Sequence, residues 1–165
     1  PVLRIVAEDV ADPSDPEIQR LIDDMIETMY DAQGQGLAAP QVYQSVCLVV
    51  YLPPSDGEDE REPRVLINPV ITARSSDIAV FDEGCLSLPD HWAEVERPAE
   101  IDIRFLDRAG KQQSLHADDI LSRCIQHEMD HLDGILFVDH LSAVRRGIIL
   151  RKLTKQKKAR LRENA

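Results

Sequence analysis

The chain has 165 residues, 19 basic and 30 acidic side chains, a net charge of −11 and 43% hydrophobic residues. That length predicts one domain, residues 1–165, able to take roughly two-thirds of the unfolded chain's surface out of water, and the balance is that of a globular rather than a disordered or fibrous protein. It argues against DNA or other nucleic-acid binding by the whole surface, and no apolar run approaches the roughly 18 residues that a membrane helix needs.

The charge is unevenly spread. Residues 145–165 carry nine basic side chains against the single acid Glu163, a local balance of +8, which leaves 1–144 at −19. An acidic body with a basic appendage suited to a polyanion is expected. Three cysteines, Cys47, Cys85 and Cys124, show no disulfide spacing and no secretory leader precedes them, which points to a reducing, cytoplasmic setting. The first residue is Pro1 rather than Met, so trimming is expected.

In chain order, Asp15-Pro16-Glu17 reads as N-cap, N1 proline and early acid. Ile18, Leu21, Ile22, Met25, Ile26 and Met29 follow at spacings of three and four, so an amphipathic helix is predicted to end near Tyr30. Gly34-Gln35-Gly36 breaks that pattern, and Val46–Val50 reads as a buried strand in which Cys47 is a small core residue. Residues 53–62 are turn-rich and acidic and read as a solvated loop.

Short strands are predicted at Val65–Ile67, Val70–Ala73 and Ile78–Phe81, and alternation at Ile101, Ile103 and Phe105 predicts another before a turn at Asp107–Gly110. A second helix opens at Ala117-Asp118-Asp119 and stops at Gly134. A third runs from Leu141 with Val144, Ile148 and Ile149 on one side, basic residues over most of the rest and a fraying tail. Strands bunched before a final pair of helices predict an α+β fold.

Within the second helix lies His127-Glu128-Met129-Asp130-His131. Histidines at i and i+4 project from one face, so both imidazoles can reach one metal ion while the intervening glutamate reaches a water beside it. The competing reading is an exposed polar turn. A catalytic site of this kind wants a third protein ligand. The extended metallopeptidase pattern would need a histidine at 137, where Phe137 stands, and the only later glutamate is Glu163 in the basic tail. The third ligand is therefore sought upstream, at Cys85 in Glu83-Gly84-Cys85-Leu86-Ser87, giving a soft donor set suited to Fe(II) or Zn. Cys124, three residues before His127, is expected to pack beside the ion.

With Gly34-Gln35-Gly36-Leu37-Ala38-Ala39-Pro40-Gln41, these motifs make three separated segments in which the sequence resembles the peptide deformylase family, in its bacterial branch with a C-terminal helix. The likeness extends to Arg64–Pro69 and Ala93–Pro98. It implies an α+β fold with antiparallel sheets around a central motif-bearing helix, flanked by N-terminal and C-terminal helices. It implies that Cys85, His127 and His131 hold one divalent metal ion, Fe(II) in the cell and Zn, Ni or Co after purification. Glu128 would be the general base and later the proton donor; the Gln41 side-chain amide and the Leu86 backbone N–H would bind the developing oxyanion. Gly36 and Gly84 would let a substrate backbone pass close by. The implied activity is hydrolysis of the N-formyl group of nascent polypeptides in the bacterial cytoplasm, releasing formate, with the basic helix docking on the ribosome.

Two positions depart from the family. Gln35 replaces the usual isoleucine or valine between the motif glycines, and Arg123 replaces an aliphatic residue one turn before His127. Ile120, Arg123, Cys124 and His127 share a helix face. Either the pocket for the first side chain is smaller or more polar than usual, or Arg123 lays its stem along the rim and keeps its guanidinium in water. The segment ahead of Pro1 is also shorter than in the family. Glu83 and Arg97 are expected to pair behind the Cys85 turn; His91, His116 and His140 read as surface or structural, and Trp92 as packing near the site entrance. A peptidase with the same metal, and a binding module with a purely structural metal, remain as alternatives; the missing downstream ligand opposes the first, and the presence of both Glu128 and Gln41 the second.

Overall fold

The computed structural model describes residues 2–54, 61–85 and 87–164. Among the described residues, three α-helices, α1 (Pro16–Asp31), α2 (Asp119–Leu132) and α3 (Ala143–Glu163), accompany seven strands. These are β1 (Gly36–Ala38), β2 (Leu48–Tyr51), β3 (Arg64–Arg74), β4 (Ile78–Cys85), β5 (Leu88–Pro98), β6 (Glu100–Leu106) and β7 (Gln112–Asp118). All pairings between strands are antiparallel: a five-stranded sheet in the order β1-β2-β3-β6-β7, and a separate β4-β5 hairpin. This is the expected α+β architecture.

The layers follow from side-chain alternation. Successive residues of a strand point to opposite faces, so Leu48 and Val50 of β2 join Ile67 and the Ile22, Met25 and Met29 face of α1, while Val49 and Tyr51 join Ile101, Ile103, Ala117 and Ile125 of α2. The five-stranded sheet is covered on one face by α1 and on the other by α2, and β2, buried on both, reads as an unbroken apolar run. The β4-β5 hairpin has its own cluster, in which Ala93, Val95 and Leu88 pack against Leu136, Phe137 and Val138.

Local signals set the ends. Asp15 caps α1 by accepting from the Glu17 N–H at 2.9 Å, and Gly134, at φ +73°, follows α2 where a left-handed residue ends a helix. The segments predicted at Val65–Ile67 and Val70–Ala73 are one strand, interrupted by a bulge at Asn68-Pro69. Asn68 takes φ +51°, and its amide bridges to both the N–H and the carbonyl of Val10, at 2.8 and 3.0 Å. The third helix begins at Ala143, after the Ser142 cap rather than at Leu141, and runs unbroken to Glu163. Its packed side is Ile149, Leu150 and Leu153. Val144 and Ile148 are instead exposed, because the hairpin cluster meets the helix a turn later than the pattern suggested. Of the acidic loop predicted at 53–62, residues 55–60 lie outside the described residues.

Candidate active site

The site forms where α2, β1 and the end of β4 converge. Helix α2 brings His127, Glu128 and His131 to one buried face, at 8%, 6% and 1% exposure, and β4 ends on Cys85 opposite them. One donor atom from each of Cys85, His127 and His131 lies within 4.8 Å of the others. The Cys85 Sγ is 3.4 Å from His131 Nε2, and the two imidazoles meet edge to face with centroids 5.1 Å apart. Three donors this close, one of them a cysteine sulfur, fit a soft or borderline divalent cation.

The surroundings orient these donors. His127 Nδ1 is 2.9 Å from Glu83 Oε1, which leaves Nε2 as the ring nitrogen able to take a cation. Glu83, 1% exposed, receives two bonds from Arg97, Nε at 2.6 Å and Nη2 at 2.8 Å, and Arg97 Nη1 donates to Asp130 at 2.8 Å. Asp130 in turn holds His140 at 2.8 Å. Burial alone would raise the Glu83 carboxyl, but the hydrogen bonds from Arg97 and His127 hold it near 2. Of the two imidazoles, His131 is driven down to about 3 by burial and by the neighbouring His127. His127 is also opposed by burial, yet bonds to Cys85 and Glu83 and the charge of Glu128 push it up to about 10. Anions that favour a proton on His127 favour a divalent cation in the same place.

Burial pushes the Glu128 carboxyl up to about 7, with the Glu83 charge adding to it and His127 opposing. Its Oε2 is buried with no hydrogen-bond partner among the described residues. Gln41 follows β1 in a short 3-10 helix, Ala39–Val42. Its Oε1 accepts from the Ala38 N–H at 2.9 Å, which turns its Nε2 toward Ser87 Oγ at 3.1 Å and Cys85 Sγ at 3.6 Å.

A cavity of about 500 Å³ opens on this cluster. Gly36 and Gly84 stand on its walls, and both are places where a side chain has no room. A Cβ on Gly36 would lie 3.0 Å from Glu128 Cγ and Oε1 and 3.2 Å from Cys124 Sγ; one on Gly84 would lie 2.8 to 2.9 Å from the Trp92 ring. Gln35, Arg123 and Cys124 also line it, whereas Ile120, half-exposed in the first turn of α2, does not. Arg123 Nη1 donates to the Asp82 carbonyl at 3.0 Å, and among the described residues no carboxylate pairs with it. Leu86, expected to offer its N–H, lies outside the described residues.

Sequence reasoning found the Glu83–Arg97 pair but missed its extension through Asp130 to His140, since a spacing of ten residues across a helix end has no signature. Ser87 as the partner of Gln41 and Gln33 and His91 on the cavity wall were likewise missed. His116 is exposed on the β6-β7 hairpin beside Asp102, at 2.6 Å.

Metal-type donors, a carboxyl of near-neutral pKa and an oriented amide opening on one cleft make this the site of a hydrolytic enzyme. A sequence-family model described as polypeptide deformylase matches residues 1–147. The peptide deformylase of Rhizobium meliloti (strain 1021) is 48% identical over 160 residues, covering 97% of this chain and 91% of that protein. The crystal structure of peptide deformylase from Ehrlichia chaffeensis superposes with a TM-score of 0.90 at 36% identity, over 97% of this chain and 93% of that one. A structure of the Ehrlichia chaffeensis enzyme in complex with actinonin gives 0.88 at 37% identity, over 94% and 91%. The chain belongs to the polypeptide deformylase family, enzymes that remove the N-formyl group from nascent peptides.

Proposed function

We propose that this chain hydrolyses N-formyl peptides with one divalent metal ion held by Cys85, His127 and His131. The observation that carries the reading is the convergence of those three donors, of which Cys85 and His127 line one cleft together with buried Glu128. When bound, the ion supplies Lewis acidity and lowers the pKa of water at the site. Glu128, poised near 7, takes a proton from that water as its oxygen bonds to the formyl carbon. Negative charge then develops on the formyl oxygen, where the Gln41 Nε2–H donates to it, along with the Leu86 N–H. Glu128 returns the proton to the nitrogen as the C–N bond breaks, which yields formate and a free amine. Gly36 and Gly84, both on the cavity wall, are the positions past which the peptide backbone would run.

The thiolate in the donor set favours Fe(II) as the cellular ion, with Zn, Ni or Co able to replace it in purified protein. Gln35 and Arg123 make the wall for the first side chain polar, and formylated chains with a polar or acidic first residue are accepted beside formyl-Met. The basic helix α3 carries the enzyme to the ribosome in the bacterial cytoplasm; raising salt should release it, since phosphate contacts are salt-sensitive. The deciding experiment is formate release from formyl-Met-Ala-Ser by protein loaded anaerobically with Fe(II), with Glu128→Ala as control. Equal release by both proteins, or none by either, refutes the mechanism. Formyl-Glu against formyl-Met peptides, before and after Arg123→Ile, tests the pocket.

A further inference from the structure

We infer that Trp92 is a specificity-determining residue, an aromatic platform for the second residue of the formylated chain. The inference rests on the deformylase reading for the identity of the ligand, and on this protein's own geometry for the rest. Trp92 is directly opposite Gly84 in the β4-β5 register. A Cβ on Gly84 would come within 2.8 to 2.9 Å of Trp92 Cδ2, Cε2 and Cε3, so one face of the indole is pressed onto the glycine backbone. Its other face is open: the side chain is 69% exposed, yet lines the cavity. Along β5 the neighbours on the same face, Glu94 and Glu96, are exposed acids, whereas Ala93 and Val95 on the other face are buried. A large aromatic ring on the polar side of a hairpin has no core to join.

Cross-strand cover of a glycine accounts for one face of that ring. It leaves the other in water at the mouth of a cleft whose reacting centre starts one residue further on, at Cys85. With about 3.3 Å per residue in an extended chain, a peptide whose formyl group lies among Cys85, His127 and Glu128 has its first residue beside Gly84, and its second, one step nearer the mouth of the cleft, beside the exposed part of the Trp92 ring. An apolar or aromatic side chain there covers the open face and is removed from water with it.

The chain has a single tryptophan, so intrinsic fluorescence reports on this ring alone. Glu128→Ala protein, which leaves the peptide uncut, is titrated with formyl-Met-Phe-Ser and with formyl-Met-Gly-Ser; turnover of both is then measured in the wild type, Trp92→Phe and Trp92→Ala. The expected results are a blue shift with saturating formyl-Met-Phe-Ser, a wild-type preference for Phe over Gly of about three- to tenfold as aromatic contacts of this kind give, carried mainly by KM, and its loss in Trp92→Ala with partial retention in Trp92→Phe. Emission that does not move at saturation, or a Phe-to-Gly ratio equal in wild type and Trp92→Ala, overturns the inference. If Trp92→Ala does not fold, the wild-type ratio, the Trp92→Phe ratio and the fluorescence shift decide. Absence of formate release from every peptide counts against the deformylase reading instead, and the fluorescence titration still judges the platform.

Discussion

Replacing Arg97 by leucine tests how the donor set is held. Arg97 is 3% exposed and makes three charged bonds, two to Glu83 and one to Asp130, at 2.6 to 2.8 Å. The variant keeps the apolar volume but leaves Glu83, itself 1% exposed, as a buried charge whose remaining partner is His127. Removing one member of a buried pair costs about 3–5 kcal/mol. Asp130 is 20% exposed and keeps His140, so its share is small and the lower part of that range applies, about 3 kcal/mol. At about 2–4 °C per kcal/mol for a domain of this size, the midpoint should fall by about 6–12 °C. Urea denaturation at pH 7 gives the free energy, provided the slope with denaturant is unchanged. Glu83→Gln combined with Arg97→Met should recover part of the loss, because the orphaned charge is gone. Metal affinity should fall about 10–100-fold in the single variant, as His127 loses its fixed orientation. A stability loss under about 1 kcal/mol, or a double variant no better than Arg97→Leu, would refute the view that Glu83 depends on Arg97 for its charge.

Asp139 accepts from Arg4, from Arg146 and from the Leu136 N–H, which hold its carboxyl near 2 against the opposing effect of burial. Because the folded pKa is depressed, this stability is complete above the unfolded value and is lost as pH falls toward 2; Asp139→Asn should be about 1–2 kcal/mol less stable at pH 7 and should match the wild type near pH 2, read from denaturation midpoints across pH. Gln41→Ala removes the oriented Nε2 donor and should lower kcat about 10²–10³-fold in steady-state formate release, with KM much less affected. Gly36→Ala puts a methyl 3.0 Å from Glu128 Oε1 and Cγ; kcat should drop about tenfold or more while circular dichroism and metal content stay unchanged.

How much the sequence revealed depended on whether each residue's role was local. Asp15-Pro16-Glu17 and the Ile22, Met25, Met29 stripe gave α1 to within a residue, because caps and 3.6-residue periodicity act within one helix. The His127 and His131 spacing likewise lies on a single helix face. The polar edge strand β7, Gln112–Asp118, had no apolar alternation to show, since just one of its residues is buried. In β5 the buried row is Ala93, Val95 and Arg97, and a buried arginine breaks the pattern that reveals a strand. Its reason for being inside is Glu83 on β4 and Asp130 on α2, partners 14 and 33 residues away. Gly84 tells the same story: its need to be glycine comes from the ring of Trp92 on the next strand.

The buried charges explain why the proposed ion belongs at this point in the fold. Glu83, Asp130 and Glu128 bring three carboxyls to the layer between α2 and the β4-β5 hairpin, and Cys85 adds a thiol; Arg97 is the sole buried guanidinium among the described residues. It neutralises one carboxylate and part of a second, and His140 serves the rest of Asp130. Glu128 meets the imbalance by sitting near 7, and His127 by drawing a proton. A divalent cation on Cys85, His127 and His131 resolves it more completely, because charge in a low-dielectric layer is costly unless paired. It would also draw Glu128 toward its ionised form, the form that can accept a proton. The same unpaired negative charge that makes the layer expensive without the ion therefore gives it a base when the ion is present, and Arg97 sets how much of that charge is left over.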